Sequence, residues 1–158
     1  MRILLVEDEI PKKEHLKSFI ESIFNELQNE YCIQFASSVN SALDRIEEEV
    51  PDLLILDMSL PTFDINLEKK EFGGNPQGFG GIEVLKNLKI DKVICKTLII
   101  TGYEAFSKKN SKPVDINTLK SDLLAKYPEY IIDVLHFNST YDTWKIKLKS
   151  SIEDLIKS

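Results

Sequence analysis

The sequence predicts an α/β fold in which five strands of a parallel sheet alternate with five helices. Short apolar runs at 2–6, 53–56 and 97–100 are typical of strands that are buried on both faces of a sheet, and residues 31–36 and 130–135 also resemble strands. Between these runs the apolar residues recur at helical spacing, which is typical of helices with one buried face. This alternation favours a sheet covered by helices on both sides. The predicted strands are residues 2–6, 31–36, 53–56, 97–100 and 130–135.

The helices are predicted from their apolar faces and from residues that begin or end a helix. The first helix starts at Pro11 and Lys12, because proline suits the first turn. Candidate caps for the second helix are Ser37, Ser38 and Asn40, and this helix turns Val50 inward and ends at Pro51. The remaining three helices are predicted to begin near residues 82 and 116 and to cover residues 141–157.

Length and composition describe one acidic domain. The chain has 158 residues, of which 42% are apolar, and a net charge of −6. These values favour a packed core and argue against a protein that coats nucleic acid. No apolar run reaches the roughly 18 residues of a membrane-spanning helix, and the run at 3–6 is too short for a secretion signal. Cys32 and Cys95 lie in apolar runs, so we expect two core cysteines in a cytoplasmic protein.

Acidic side chains follow two of the predicted strands. Glu7, Asp8 and Glu9 follow the first strand, and Asp57 follows the third. In open parallel sheets, ligands bind beyond the carboxyl ends of the strands. Neighbouring strands would bring these carboxylates together around a hard cation such as Mg²⁺, with one carboxylate acting as a nucleophile toward a phosphoryl group. The alternative is a set of solvated loop residues.

Two further polar side chains follow the other predicted strands. Thr101, next to the small Gly102, could donate a hydrogen bond to a phosphoryl oxygen, or it is an ordinary residue at a strand end. His136 follows the fifth strand and is either a site residue or a packed or surface histidine. Residues 62–80 break all periodicity with proline and glycine, which predicts a loop. Its phenylalanines, Phe63, Phe72 and Phe79, favour a lid or docking surface over a tolerated insertion.

The chain resembles the receiver domains of two-component response regulators. The matching stretches are ILLVEDE at 3–9, PDLLILDMSLP at 51–61, GIEVL at 81–85 and LIITGY at 98–103. The resemblance implies a flavodoxin-like three-layer sandwich with strand order 2-1-3-4-5. It implies a phosphoryl group on Asp57, taken from a histidine kinase or a phosphotransfer protein.

The resemblance also implies roles for the other residues at the strand ends. Glu7, Asp8, Asp57 and the backbone carbonyl of Ser59 would hold Mg²⁺, and Thr101 would supply the switch hydroxyl. His136 stands where the family has a lysine, and the 62–80 insert is much longer than usual.

We therefore expect a single receiver domain over residues 1–158, without an output domain and without enzymatic turnover. It would signal through contacts with a downstream protein rather than with nucleic acid or a membrane, and two copies could pair. The alternative is a degenerate receiver that acts as an interaction module independently of phosphorylation, which His136 and the insert suggest. A hydrolase of the aspartyl-phosphate type would need a second aspartate where this chain has Ser59.

Overall fold

The computed structural model describes residues 1–64, 79–102 and 115–158. In these residues, strands and helices alternate in the predicted order. The strands are β1 (Arg2–Val6), β2 (Cys32–Ala36), β3 (Leu53–Leu56), β4 (Thr97–Thr101) and β5 (Ile131–His136). The helices are α1 (Ile10–Leu27), α2 (Val39–Glu48), α3 (Gly80–Ile90), α4 (Ile116–Lys126) and α5 (Thr143–Lys157).

The five strands form one parallel sheet in the order β2-β1-β3-β4-β5. This order confirms the α/β class and the predicted flavodoxin-like arrangement. The order in which strands are added reverses at β1, since β2 lies on one side of it and β3 on the other. β1 and β3 are therefore neighbours although a helix, a strand and a second helix separate them in sequence. In such a sheet the loops after β1 and β3 diverge and leave a crevice between them.

The core consists of two apolar layers, one on each face of the sheet. Leu4, Val6 and Leu54 point toward the layer that α2, α3 and α4 cover. The alternate residues Leu5 and Ile55 point toward the layer that α1 and α5 cover. Since consecutive residues of a strand face opposite sides, strands that are apolar throughout are the expected result of helices on both faces.

The loop after β3 is fixed to two helices. The N–H of Val39, at the start of α2, donates to the carbonyl of Pro61 at 3.0 Å, and the N–H of Gly81, in α3, donates to the carbonyl of Met58 at 3.0 Å. A Cβ atom at position 81 would lie 2.5 Å from the Asp57 carbonyl oxygen and 2.9 Å from the Met58 Cα. Glycine therefore allows α3 to begin directly against the backbone that carries Asp57.

Several details differ from the sequence prediction. Val50 is 40% exposed, since α2 ends at Glu48 and leaves Val50 beyond its buried face. Cys32 is exposed because it begins the edge strand β2, whereas Cys95 is buried as expected. Ser38 caps α2 as predicted, through a reciprocal pair of hydrogen bonds with Ser41. None of the described helices is both long and apolar enough to cross a membrane.

Only the ends of the predicted insert lie within the described residues. Phe63 is exposed, and Phe79 packs against the core beneath α3. Phe72 and the rest of residues 65–78 lie outside the described residues, so the role predicted for the insert stays a prediction.

Candidate functional site

The ends of β1 and β3 bring the predicted acidic residues together. Val6 and Leu56 are partners in the sheet, and the N–H of the next residue, Asp57, donates to the Val6 carbonyl at 3.1 Å. On the other side, the N–H of Glu7 donates to the Ala36 carbonyl at 3.0 Å. The sheet hydrogen bonding therefore continues one residue past each strand and holds the backbones of Glu7 and Asp57 side by side.

Three carboxylates converge in this crevice. Oxygen atoms of Glu7, Asp8 and Asp57 lie within 4.8 Å of one another. Glu7 is 2% exposed and Asp57 is 5% exposed, whereas Asp8 lies at the exposed rim. Glu9 has no place in the cluster, but its backbone N–H donates to Oε1 of Glu7 at 2.9 Å and so fixes that side chain.

The sequence prediction missed the lysine that enters this cluster from α1. Lys12 is 6% exposed, and its Nζ lies 2.9 Å from Asp57 Oδ1 and 2.6 Å from Glu7 Oε2. The same nitrogen donates to the backbone carbonyl of Ile100, in β4, at 3.0 Å. The ammonium group is thus enclosed by the ends of β1, β3 and β4.

A signal for Lys12 was present in the helical spacing. Position 12 is one turn before Leu16 and two turns before Ile20, and all three side chains are buried on the same face of α1. A lysine at an inward position of an amphipathic helix requires a buried partner for its charge. The sequence offered that partner in Glu7 and Asp57.

The buried charges alter one another's ionisation. Burial, together with the charge of Asp57, raises the pKa of Glu7 to about 7, while the nearby Lys12 ammonium opposes the shift. For Lys12, burial alone would lower the pKa, but the charges of Asp57 and Glu7 outweigh it and the pKa is raised. Burial also raises the pKa of Asp8. The cluster carries more negative than positive charge and favours additional cations.

The residues present fit a magnesium ion. Carboxylate oxygens are the ligands that Mg²⁺ prefers, and it commonly takes only a few of them while retaining water molecules. Glu7 Oε2 is buried and contacts Lys12 Nζ at 2.6 Å, and a carboxylate oxygen has a second lone pair that can bind a cation. Asp8, at the rim, is accessible to an entering ion.

The remaining predicted site residues surround this centre at the carboxyl end of the sheet. The backbone N–H of Ser59 donates to Asp57 Oδ2 at 3.2 Å. Thr101 is buried at the end of β4, where its hydroxyl makes a long, 3.5 Å contact with the Gly102 carbonyl. His136 is the last residue of β5, exposed and in register with Thr101. The roles predicted for these three residues stay predictions.

The strand order and the acidic centre agree with the resemblance to response regulator receiver domains, and comparisons with known proteins show that the chain is similar to proteins of that class. Over 156 residues it is 26% identical to the Detocs response regulatory protein DtcB of Enterobacter cloacae (strain JD6301), covering 98% of this chain and 100% of the relative. Over 139 residues it is 29% identical to sporulation initiation phosphotransferase F of Bacillus subtilis (strain 168), covering 80% of this chain and 92% of the relative. No family model matches the chain.

Solved structures share the fold. The signal receiver domain of a LuxO repressor protein from Vibrio parahaemolyticus superimposes with a TM-score of 0.65 at 22% identity, covering 99% of this chain and 89% of the other. Response regulator protein TrrA of Thermotoga maritima, solved with Mg²⁺ and BeF, gives a TM-score of 0.58 at 23% identity, covering 98% and 97%. TrrA has also been solved in complex with the histidine kinase ThkA.

Proposed function

We propose that this chain is a stand-alone receiver that accepts a phosphoryl group on Asp57 in a Mg²⁺-dependent reaction and signals through protein contacts. The observation that carries the proposal is the buried Asp57 carboxylate at the end of β3, in contact with a lysine and within one cluster with Glu7 and Asp8. A nearly buried carboxylate beside other carboxylates is costly to maintain, which favours a functional role over a structural one.

The transfer step needs little covalent chemistry from the protein. An oxygen of Asp57 attacks the phosphorus of a phosphohistidine and forms a new P–O bond, while the bond from phosphorus to the imidazole nitrogen breaks. The electron pair of that bond returns to the nitrogen, so the step requires no redox partner. Catalysis then consists of positioning and charge stabilisation. The N–H of Ser59 positions Asp57 through Oδ2.

Magnesium would be held by Glu7, Asp8, Asp57 and the backbone carbonyl of Ser59, where it would neutralise charge on the phosphoryl oxygens. Among the described residues, the buried hydroxyl of Thr101 makes no short hydrogen bond, since its contact with the Gly102 carbonyl is 3.5 Å long. It is therefore available to donate a hydrogen bond to a phosphoryl oxygen, as predicted for the switch hydroxyl.

The partners belong to the same proposal. A sensor histidine kinase or a phosphotransfer protein would donate the phosphoryl group, and the TrrA–ThkA complex supports a kinase as donor. The match over the whole length of a relative named as a response regulatory protein supports a regulatory role for the receiver fold itself. We also propose a cytoplasmic location, a downstream protein target and pairing of two copies. His136 keeps its predicted place in the site.

The test is phosphorylation of the purified chain by acetyl phosphate with Mg²⁺, read on a phosphate-retarding gel and by intact mass. We expect a slower band and one added phosphoryl group, both lost in Asp57→Asn and in the presence of EDTA. Asp52→Asn is the matched control, because Asp52 lies exposed at the opposite end of β3. Equal labelling of wild type and Asp57→Asn would refute the proposal.

A degenerate receiver is the second candidate function. It is favoured by the ion pair of Lys12 with Asp57, which already satisfies the acceptor carboxylate without a phosphoryl group, and by His136 in the place of a lysine. If this candidate is correct, binding of the downstream partner is indifferent to phosphodonor, Mg²⁺ and Asp57→Asn. Partner binding that responds to acetyl phosphate in wild type alone would exclude it.

A further inference from the structure

We propose that Lys12 supplies the ammonium group that binds a phosphoryl oxygen on Asp57. A lysine of α1 would then replace the family lysine whose position at the end of β5 is occupied here by His136. The inference rests on the proposed function, because it concerns the state in which Asp57 carries a phosphoryl group. It assigns to Lys12 a direct contact with the transferred group during and after transfer.

The geometry of the ammonium group is the first argument. Its three N–H donors face Glu7 Oε2, Asp57 Oδ1 and the Ile100 carbonyl, at 2.6, 2.9 and 3.0 Å. Phosphoryl oxygens lie two bonds, O–P–O, from the carboxylate oxygen that carries the phosphorus, and Lys12 already contacts Oδ1 of that carboxylate. The flexible four-carbon stem of a lysine allows the ammonium to follow that displacement without a movement of α1.

Charge is the second argument. The buried space holds two carboxyl groups, of Glu7 and Asp57, and one ammonium group, of Lys12. A phosphoryl group adds further negative charge to it. Charges removed from water interact strongly, so a cation in contact with the acceptor stabilises the developing charge more than an exposed one does. Lys12 is such a cation, whereas His136 is exposed.

The residue after His136 provides the third argument. The ring of Phe137 has its centroid 5.6 Å from Lys12 Nζ, so the end of β5 presents an aromatic face to the ammonium. Such a contact stabilises a cation without neutralising it. The end of β5 therefore supports the charge of Lys12 from the side.

The same contact provides an optical readout. Trp144, the one tryptophan of the sequence, packs against Phe137 with ring centroids 5.2 Å apart. A displacement of Lys12 toward a phosphoryl group should change the surroundings of Phe137 and hence the fluorescence of Trp144. Mg²⁺ and beryllofluoride can thus be titrated separately on the purified chain without a phosphorylation assay.

The experiment compares wild type with Lys12→Met, Lys13→Met and His136→Ala. Lys13, the next residue, is half-buried and lies near the Phe35 ring instead of the carboxylates, so it is the matched control. We expect Lys12→Met to slow phosphorylation by acetyl phosphate, and to weaken beryllofluoride binding, by about tenfold or more. Its Mg²⁺ affinity should stay equal to wild type or rise, because a competing cation has been removed. Lys13→Met should stay within about twofold of wild type, and His136→Ala should lose less than Lys12→Met does.

Each other outcome is decisive. Wild-type rates in Lys12→Met, a parallel loss of Mg²⁺ and beryllofluoride binding, or a loss in His136→Ala without one in Lys12→Met would each overturn the assignment. Should Lys12→Met not fold, by circular dichroism, Lys12→Gln takes the same test with the same criteria. A wild type that accepts no phosphoryl group refutes the proposed function itself, which separates that failure from a failure of Lys12 alone.

Discussion

Two lysine–carboxylate pairs, at the two sides of the sheet, differ in almost everything but their chemistry. In the first, Lys12 of α1 contacts Asp57, beyond β3, at 2.9 Å. In the second, Lys120 of α4 contacts Asp133 of β5 at 2.5 Å. The side chains of the first pair are each 6% exposed, while those of the second are 35% and 22% exposed.

Distance alone would give the shorter contact the greater importance, but burial reverses that order. An ion pair near water contributes about 0–1 kcal/mol to stability, because solvent screens the attraction. A buried pair is different, since removal of one partner leaves an uncompensated charge at a cost of roughly 3–5 kcal/mol. The Lys12 cluster also holds Glu7, so its carboxylates outnumber its ammonium. Such an imbalance indicates a site for a further cation rather than a device for stability.

Replacement of Lys12 should have the largest effect on the free energy of unfolding. We expect Lys12→Met to lower the free energy of unfolding by about 3 kcal/mol in EDTA at neutral pH, because two buried carboxylates lose their counter-ion. Urea unfolding monitored by Trp144 fluorescence measures the loss. Added Mg²⁺ should recover part of it by binding the carboxylates of the folded state.

Lys13→Met controls for the loss of a lysine from the same turn of α1 and should lower stability by less than about 1 kcal/mol. A second control, Glu7→Gln with Lys12→Met, removes one carboxylate together with the ammonium and should be less destabilised than Lys12→Met alone. Equal losses in Lys12→Met and Lys13→Met would show that the buried cluster is not held together by charge.

The two pairs also show which features of the fold and of the site could be predicted from the sequence. Apolar runs and helical spacing predicted every described element, because the central strands β1, β3 and β4 are buried on both faces and the helices bury an apolar face. The convergence of Glu7, Asp8 and Asp57 followed from their places after neighbouring strands. Lys12 was missed because its role depends on how far the first turn of α1 reaches toward β4, which is a tertiary contact that spacing alone does not fix.

The errors have similar causes. Cys32 appeared to be a core residue because its neighbours are apolar, but β2 is an edge strand and one of its ends faces solvent. Val50 continued a helical pattern that the backbone leaves at Glu48. A periodic pattern records which face is apolar, and not where the partner surface ends.

Two glycines, Gly81 and Gly102, allow the backbone at the ends of β3 and β4 to be compared. A Cβ at position 81 would press on the Asp57 carbonyl oxygen at 2.5 Å, whereas a Cβ at position 102, beyond β4, would meet nothing within 4 Å. We expect Gly81→Ala to lower the free energy of unfolding by about 2 kcal/mol, because α3 or the loop after β3 must move. Phosphorylation should slow as well, since that loop carries Asp57.

Gly102→Ala is the matched control, with an expected change within about 0.5 kcal/mol. Thermal or urea unfolding of both variants, with acetyl phosphate labelling of each, measures the difference. Similar behaviour of the two variants would mean that the backbone at the end of β3 is no more constrained than the backbone at the end of β4.

The smallest effect on stability is expected for Lys120 and Asp133, the shorter of the two compared ion pairs. Lys120→Met should lower the free energy of unfolding by less than about 1 kcal/mol, because water screens the pair and Asp133 Oδ1 keeps a hydrogen bond from the N–H of Val134 at 2.7 Å. The loss should shrink further in high salt, while phosphorylation of Asp57 stays unchanged. Urea unfolding at two salt concentrations measures it. A loss as large as that of Lys12→Met would mean that burial does not set the energies of these two pairs, and the argument that marks the Lys12 cluster as a functional site would lose its physical basis.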